Sequence, residues 1–271
     1  MKKTIYSCSL GAVLLVSSGA AEIFFDTSAK TGTELWDNQN IKTTDNGDVI
    51  YGNNLLQSQE MYSVDALSRY RLTGKFKSAT DKTGKFFFGL VPFDENKIPI
   101  ELYEVNAVYE TDTTLVTDCK AADKVLKVKN AVNWKVDPFV FVAFDAKPDF
   151  SDLPNRTLSG QGIAKIEKTD DGWLVTLKNP CGQNFPAGTL IRLHAKGSKY
   201  LYCGAFSRNA DPDWVPVGNF ISEVSQKGES RTQFWAGTKY VKVVILANYL
   251  QKEDVGLLFK EIKFEKLDGV R

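Results

Sequence analysis

The stretch KYVKVVILANYLQKEDVGLLFKEIKF, Lys239 to Phe264, decides the fold. In an extended chain Val241, Val243, Ile245 and Ala247 share one face of the first run. Leu258, Ile262 and Phe264 share one face of the second, and a polar turn separates the two runs. Two strands this apolar do not stand alone as a hairpin in water. They need a sheet that already exists, and the best partners lie far upstream. Tyr70-Arg71-Leu72-Thr73-Gly74-Lys75-Phe76-Lys77 alternates with the period of a half-buried antiparallel strand. Phe86 to Phe93, FFFGLVPF, is apolar on both faces and reads as a central strand. Pairing between early and late strands across the whole chain predicts a jelly roll or a related sandwich.

Further strand signals fill the middle. Leu126-Lys127-Val128-Lys129 alternates, and Phe139 to Phe144, FVFVAF, is a buried run. Trp173, Val175 and Leu177 share a face after the turn Asp170-Asp171-Gly172, and Leu190 to His194 precedes Gly197. No window of helical length keeps apolar residues three and four apart, although residues 59–68 have room for a turn or two of helix. Turn signals recur about every ten residues, as in sandwiches and barrels. The expected class is therefore all-β.

The chain has 271 residues, 43% hydrophobic and 25% charged, with formal net charge +1 and pI ≈ 7.5. No basic stripe is present, so nucleic acid is not an expected partner. The opening MKKTIYSCSLGAVLLVSSGAAE has two lysines, a short apolar core and small residues at the exit. Residues 1–21 read as a secretory signal peptide, and the protein is expected to be secreted, periplasmic or on the cell surface. That apolar run is too short to span a bilayer, and no other membrane segment follows. Export leaves Cys119, Cys181 and Cys203 in an oxidising compartment, either as one bridge and one free thiol or as three buried thiols.

The order of the Tyr70–Lys77 strand, the Phe86–Phe93 strand with its Asp94-Glu95-Asn96 turn, Trp214, Ala236-Gly237-Thr238 leading into Lys239–Ala247, and Gly256 to Ile262 resembles the galactose-binding-like jelly roll of extracellular carbohydrate-binding modules. Such modules often close on a strand with an acidic pair at a structural calcium site. Lys260-Glu261-Ile262 stands at that place, leaving Glu261 as the single carboxylate ligand the resemblance implies. A calcium ion is the lesser reading and no other cofactor is expected; plain turn chemistry is favoured for Asp45 to Asp48 and Asp211 to Asp213. The middle resembles a small β-barrel unit of phage and surface proteins. It carries Thr113-Thr114-Leu115, Asp123 to Asn130, Trp134, and Phe185-Pro186-Ala187-Gly188-Thr189-Leu190-Ile191-Arg192. That resemblance alone implies a Cys119–Cys181 bridge. The organisation expected is a jelly roll over 22–103 and 206–271, interrupted by an inserted barrel over 104–205.

His194 is the only histidine, so any histidine-based catalysis must use it. Its place beside Arg192 on an alternating strand reads as a surface or edge position. One histidine and scattered cysteines do not make a zinc site. What remains is aromatic: an indole or phenol offers a flat electron-rich face to the C–H face of a sugar. Trp36, Trp214 and Trp235 fall in loops or beside turns, and Tyr51, Tyr240 and Asn248 join them if they face one groove. For each of these tryptophans a core role is the favoured alternative. Trp134 and Trp173 read as core. The reading is a secreted, non-catalytic protein that binds a glycan or polysaccharide on exposed aromatics. The alternatives are a polysaccharide lyase or glycosidase, or a structural or adhesive envelope protein that packs against partners in a surface complex.

Overall fold

The computed structural model describes residues 21–28, 30–226 and 230–267. The signal-peptide reading falls on residues that, apart from Ala21, lie outside these. Two antiparallel sheets form a sandwich. The back sheet runs Val215–Ser222, Arg69–Ser78, Gly256–Leu267, Gly47–Tyr51, Lys42–Thr44, and Glu22–Asp26 also pairs with Gly256–Leu267. The front sheet runs Leu201–Asn209, Lys85–Phe93, Tyr240–Ala247, Asn54–Gln57, and Tyr62–Ser63 also pairs with Tyr240–Ala247. With the three short edge pieces set aside and the remaining eight strands numbered along the chain, the back order is six, three, eight, one and the front order five, four, seven, two. That interleaving is a jelly roll.

The two late runs do not pair with each other. Tyr240–Ala247 lies against Lys85–Phe93, with Val243 opposite Leu90. Gly256–Leu267 lies against Arg69–Ser78, with Phe259 opposite Phe76 and Phe264 opposite Leu72. Each late strand therefore completes a different sheet, and their apolar faces meet in one core. Val241, Val243, Ile245, Leu257, Phe259, Ile262 and Phe264 are all at most 1% exposed there. The predicted grouping of Leu258 with Ile262 and Phe264 fails. Leu258 is half-buried on the opposite face, because a β-bulge between Lys260 and Lys263 shifts the register. Glu261 takes φ 51 inside it, so odd-numbered residues point inward before the bulge and even-numbered ones after it. Gly74 faces this bulge, where a Cβ would sit 2.4 Å from Ile262 Cδ1.

The chain leaves the front sheet at Phe93 and returns at Leu201. The segment between has a core of its own, including Leu126, Val142, Phe144, Val175 and Ile191. It holds two three-stranded sheets: Val140–Phe144, Leu190–Ala195, Thr113–Thr114, and Ile163–Thr169, Gly172–Leu177, Val125–Val128. A closed barrel is not formed among the described residues. Single bridges, Leu115 with Val128 and Cys119 with Phe185, tie the pieces together. The structure joins Cys119 to Cys181 as a disulfide and leaves Cys203 as a buried thiol in the sandwich core. The predicted end of the insert at 205 is too late, since Leu201–Asn209 hydrogen-bonds to Lys85–Phe93. Residues 59–68 supply the Tyr62–Ser63 strand rather than helix, and the described α-helix is the single turn Leu102–Val105 at the start of the insert. No described helix is long and apolar enough to cross a membrane.

Candidate functional site

The residues singled out in the sequence do not share one groove. Trp36 is fully buried, packed edge-on to Phe25 at 5.1 Å and to Phe259 at 5.8 Å. Trp235 is 1% exposed, and Asn248 is fully buried. These three are therefore part of the packing. Asn248 is a clamp: its Nδ2 donates to Ile50 O at 3.1 Å and Gly52 O at 3.0 Å, tying two loops together. Trp214 is half-buried on the back sheet, away from the other singled-out residues, with Lys260 Nζ 4.5 Å and Lys77 Nζ 5.7 Å from its ring. Tyr51 is 40% exposed in a polar cleft with Gln39, Asn40, Asn53 and Gln251. Tyr240 begins the strand that ends before Asn248, at the far end of the sandwich from Tyr51.

The residues around Glu261 do not fit a calcium ion. Its carboxylate is paired with Lys75 Nζ at 2.7 Å, and no cluster of three metal-binding side chains occurs among the described residues. Asp48 in the other oxygen-rich turn accepts from Gly32 N at 3.0 Å and from Thr43 Oγ1 at 2.8 Å.

His194 and Arg192, predicted at a strand surface, are both fully buried. The loop that follows Val140–Phe144 and the helix Leu102–Val105 cover them. Arg192 donates to Lys147 O at 3.0 Å, to the Asp152 carboxylate and to His194 Nε2 at 3.0 Å. His194 Nδ1 then donates to Tyr103 O at 2.7 Å. Both ring nitrogens are engaged and no substrate reaches them, which removes the histidine-centred version of the catalytic alternative. Burial, reinforced by the Arg192 charge and opposed by the Tyr103 carbonyl, pulls the imidazole down to about 4.

This has a pH consequence. An unfolded histidine titrates near 6.5, so between pH 6.5 and 4 the unfolded chain binds the extra proton and stability falls as pH falls. The expected loss is on the order of 3 kcal/mol across that window. Burial raises Asp152, but its hydrogen bonds from Asn155, Arg192 and Lys147 N outweigh that and hold it below its ordinary value; its contribution is lost only at lower pH. Burial raises Glu104, which works in the opposite direction. Urea unfolding at several pH values should show this slope, and His194→Gln should flatten it.

The surface that sequence reasoning missed is the outer face of the front sheet. On Lys85–Phe93 the side chains of Phe86, Phe88 and Leu90 enter the sandwich core, whereas Phe87, Val91 and Phe93 point the other way. On Tyr240–Ala247 the outward set is Tyr240, Lys242, Val244 and Leu246; on the edge strand Leu201–Asn209 it includes Tyr202 and Phe206. Phe87 is the hub, with ring centroids 4.8 Å from Tyr202, 5.3 Å from Phe206 and 5.3 Å from Tyr249. Tyr200 continues the strip, 5.8 Å from Tyr202. Phe206 and Tyr249 are 43% and 39% exposed. Burial pushes the Tyr202 phenol strongly up, so it stays protonated. Beside Tyr200 a groove of about 350 Å³ is lined by Gln57, Met61, Val91, Lys199 and Lys242.

No family model, curated protein or solved structure matches this chain. The outer face of the back sheet carries Arg71, Thr73, Lys75, Lys77 and Lys263, as a solvated antiparallel face does. The front sheet departs from that pattern. Its side chains largely cover one another: Phe87, Val91, Phe93, Tyr200, Tyr202 and Val244 are each at most 9% exposed, and Phe206 and Tyr249 are the rings of the cluster that reach solvent. The signal for it was present in the sequence: three consecutive phenylalanines in one strand must place at least one on each face.

Proposed function

We propose that this protein is a non-catalytic carbohydrate-binding protein and that the sugar lies along the outer face of the front sheet. The observation that carries the reading is the pair of exposed rings Phe206 and Tyr249, both seated edge-on against the buried Phe87 on a rigid sheet, with Tyr202 and Tyr200 buried beside them. A pyranose presents a C–H face of slight positive character, which a ring's electron-rich face attracts. Tyrosines add hydroxyls at the ring edge, and Gln57 and Lys242 supply polar groups in the adjoining groove. The eight residues of Tyr240–Ala247 span roughly 25 Å at the usual strand rise, enough for an oligosaccharide. The signal-peptide reading and the resemblance to extracellular carbohydrate-binding modules support the same conclusion and an extracellular or envelope location.

The jelly roll supplies the rigidity. Backbone hydrogen bonds on both sides hold Lys85–Phe93, so its outward rings are pre-positioned and little ordering cost is left for binding. Affinity electrophoresis on a broad polysaccharide panel tests the proposal. Phe206→Ala and Tyr249→Ala, at exposed positions, should each weaken retardation about tenfold, in line with one lost stacking contact of 1–2 kcal/mol. No retardation on any polysaccharide would refute it.

A further inference from the structure

Resting on the carbohydrate-binding reading, we propose that the ligand of the front-sheet face is an acidic polysaccharide, one bearing carboxylate or sulfate groups. The cations of this face lie over its rings. Lys199 Nζ lies 5.6 Å above the Tyr200 ring, Lys97 Nζ 5.6 Å above Tyr240, and the Arg231 guanidinium 3.8 Å above Phe206. Lys242 stands in the groove between. Cations thus ride on the rings at both ends of the platform.

The back sheet differs in part. There Arg71 pairs with Glu265 at 2.6 Å, Lys75 with Glu261 at 2.7 Å and Lys263 with Asp26 at 3.4 Å, although Lys77 and Lys260 over Trp214 and Arg69 over Phe220 are likewise in no ion pair among the described residues. On the front face Lys97, Lys199 and Lys242 are in no ion pair among the described residues. The one carboxylate lining the groove, that of Glu101, is in no ion pair among the described residues either; its backbone caps the helix Leu102–Val105, N donating to Glu104 Oε2 at 3.0 Å and O accepting from Glu104 N at 2.9 Å. The chain as a whole is nearly neutral, with net charge +1, so this unpaired positive charge is local.

Cations on rings discriminate between ligands. A neutral sugar must displace an ammonium from the ring face and offers it only hydroxyl acceptors in return. An acidic sugar stacks its ring and offers the displaced ammonium a charged acceptor. Hydrogen bonds between ammonium and carboxylate or sulfate are about twice as strong as neutral ones. The face therefore favours polymers whose rings carry an anion, and salt should weaken the contact because these cations are exposed to solvent.

The test uses the full chain in affinity electrophoresis and titration against polygalacturonate, dextran sulfate, neutral dextran and polyglutamate, at low and high salt. The expected result is binding to polygalacturonate, dextran sulfate or both, roughly tenfold or more tighter than to dextran, and weakened by salt. Polyglutamate, acidic but without sugar rings, should bind weakly. Lys199→Gln/Lys242→Gln should collapse the ratio of acidic to neutral affinity, whereas Phe206→Ala should weaken both. The two acidic polymers distinguish carboxylate from sulfate recognition. Equal affinity for dextran would overturn this inference and leave the carbohydrate reading standing. Polyglutamate bound as tightly as the acidic sugars would overturn it too, since charge alone would then explain the binding. Failure to bind any of the three polysaccharides, with folding verified by circular dichroism, would overturn it as well, and only a blank extending over the broad panel would also remove the carbohydrate reading.

Discussion

Arg192→Ala is expected to destabilise the protein by about 3–5 kcal/mol, the range for removing one partner of a buried ion pair. The guanidinium has no solvent exposure. Its five donors are distributed over the Asp152 carboxylate, Lys147 O and His194 Nε2, and the Phe150 ring covers it at 4.6 Å. Removing it leaves the Asp152 carboxylate, itself 7% exposed, with only the Asn155 amide and the Lys147 N–H. It also leaves His194 Nε2 buried without a donor. Arg192→Lys keeps the charge and loses the planar fork, so it should recover part of the loss and no more. Chemical unfolding followed by tryptophan fluorescence reads all three proteins. A loss below 1 kcal/mol for the alanine variant would mean that this network does not hold the insert together.

The second large effect belongs to Gly89→Ala. Gly89 sits on the outward face of Lys85–Phe93, where the edge strand crosses it closely. A Cβ there would lie 2.1 Å from Leu201 O and 2.6 Å from Tyr202 Cα. Both are backbone atoms, so no rotamer change relieves the clash and the edge strand itself must shift. Overpacking of this kind costs about 1–3 kcal/mol or more. The effect is not confined to stability, because the displaced segment carries Tyr200 and Tyr202. The variant should therefore lose midpoint in urea and affinity for polysaccharide together. Stability lost with full binding retained would show that the positions of Tyr200 and Tyr202 do not matter to the ligand.

The fold was more legible than the site, for physical reasons that particular residues display. Val241, Val243, Ile245 and Ala247 keep strict alternation because both neighbours of their strand are regular, and all four are buried on the inner face. Leu258 was misplaced because the bulge at Lys260–Lys263 depends on a partner strand almost two hundred residues away. Trp36 lies in a polar loop and Trp235 beside a turn, and both indoles go to the core, the alternative favoured for them in the sequence. His194 and Arg192 alternate like surface residues, but their partners Tyr103 and Lys147 come from 91 and 45 positions away. The aromatic face has the same character: Phe87, Tyr202, Phe206 and Tyr249 sit on three separate parts of the chain, and only the sheet gathers them. Tyr51 stands apart, in an amide-lined cleft where Asn54 already serves Asn38, Asn40 and the Tyr51 carbonyl.

The most direct test of where a sugar lies is chemical-shift mapping on isotopically labelled protein with an acidic oligosaccharide. The account predicts shifts centred on Tyr200, Tyr202, Phe206 and Tyr249 and on the Lys199 and Lys242 amides. Shifts confined to Tyr51, Asn53 and Gln251, or spread over the charged back sheet, would contradict it.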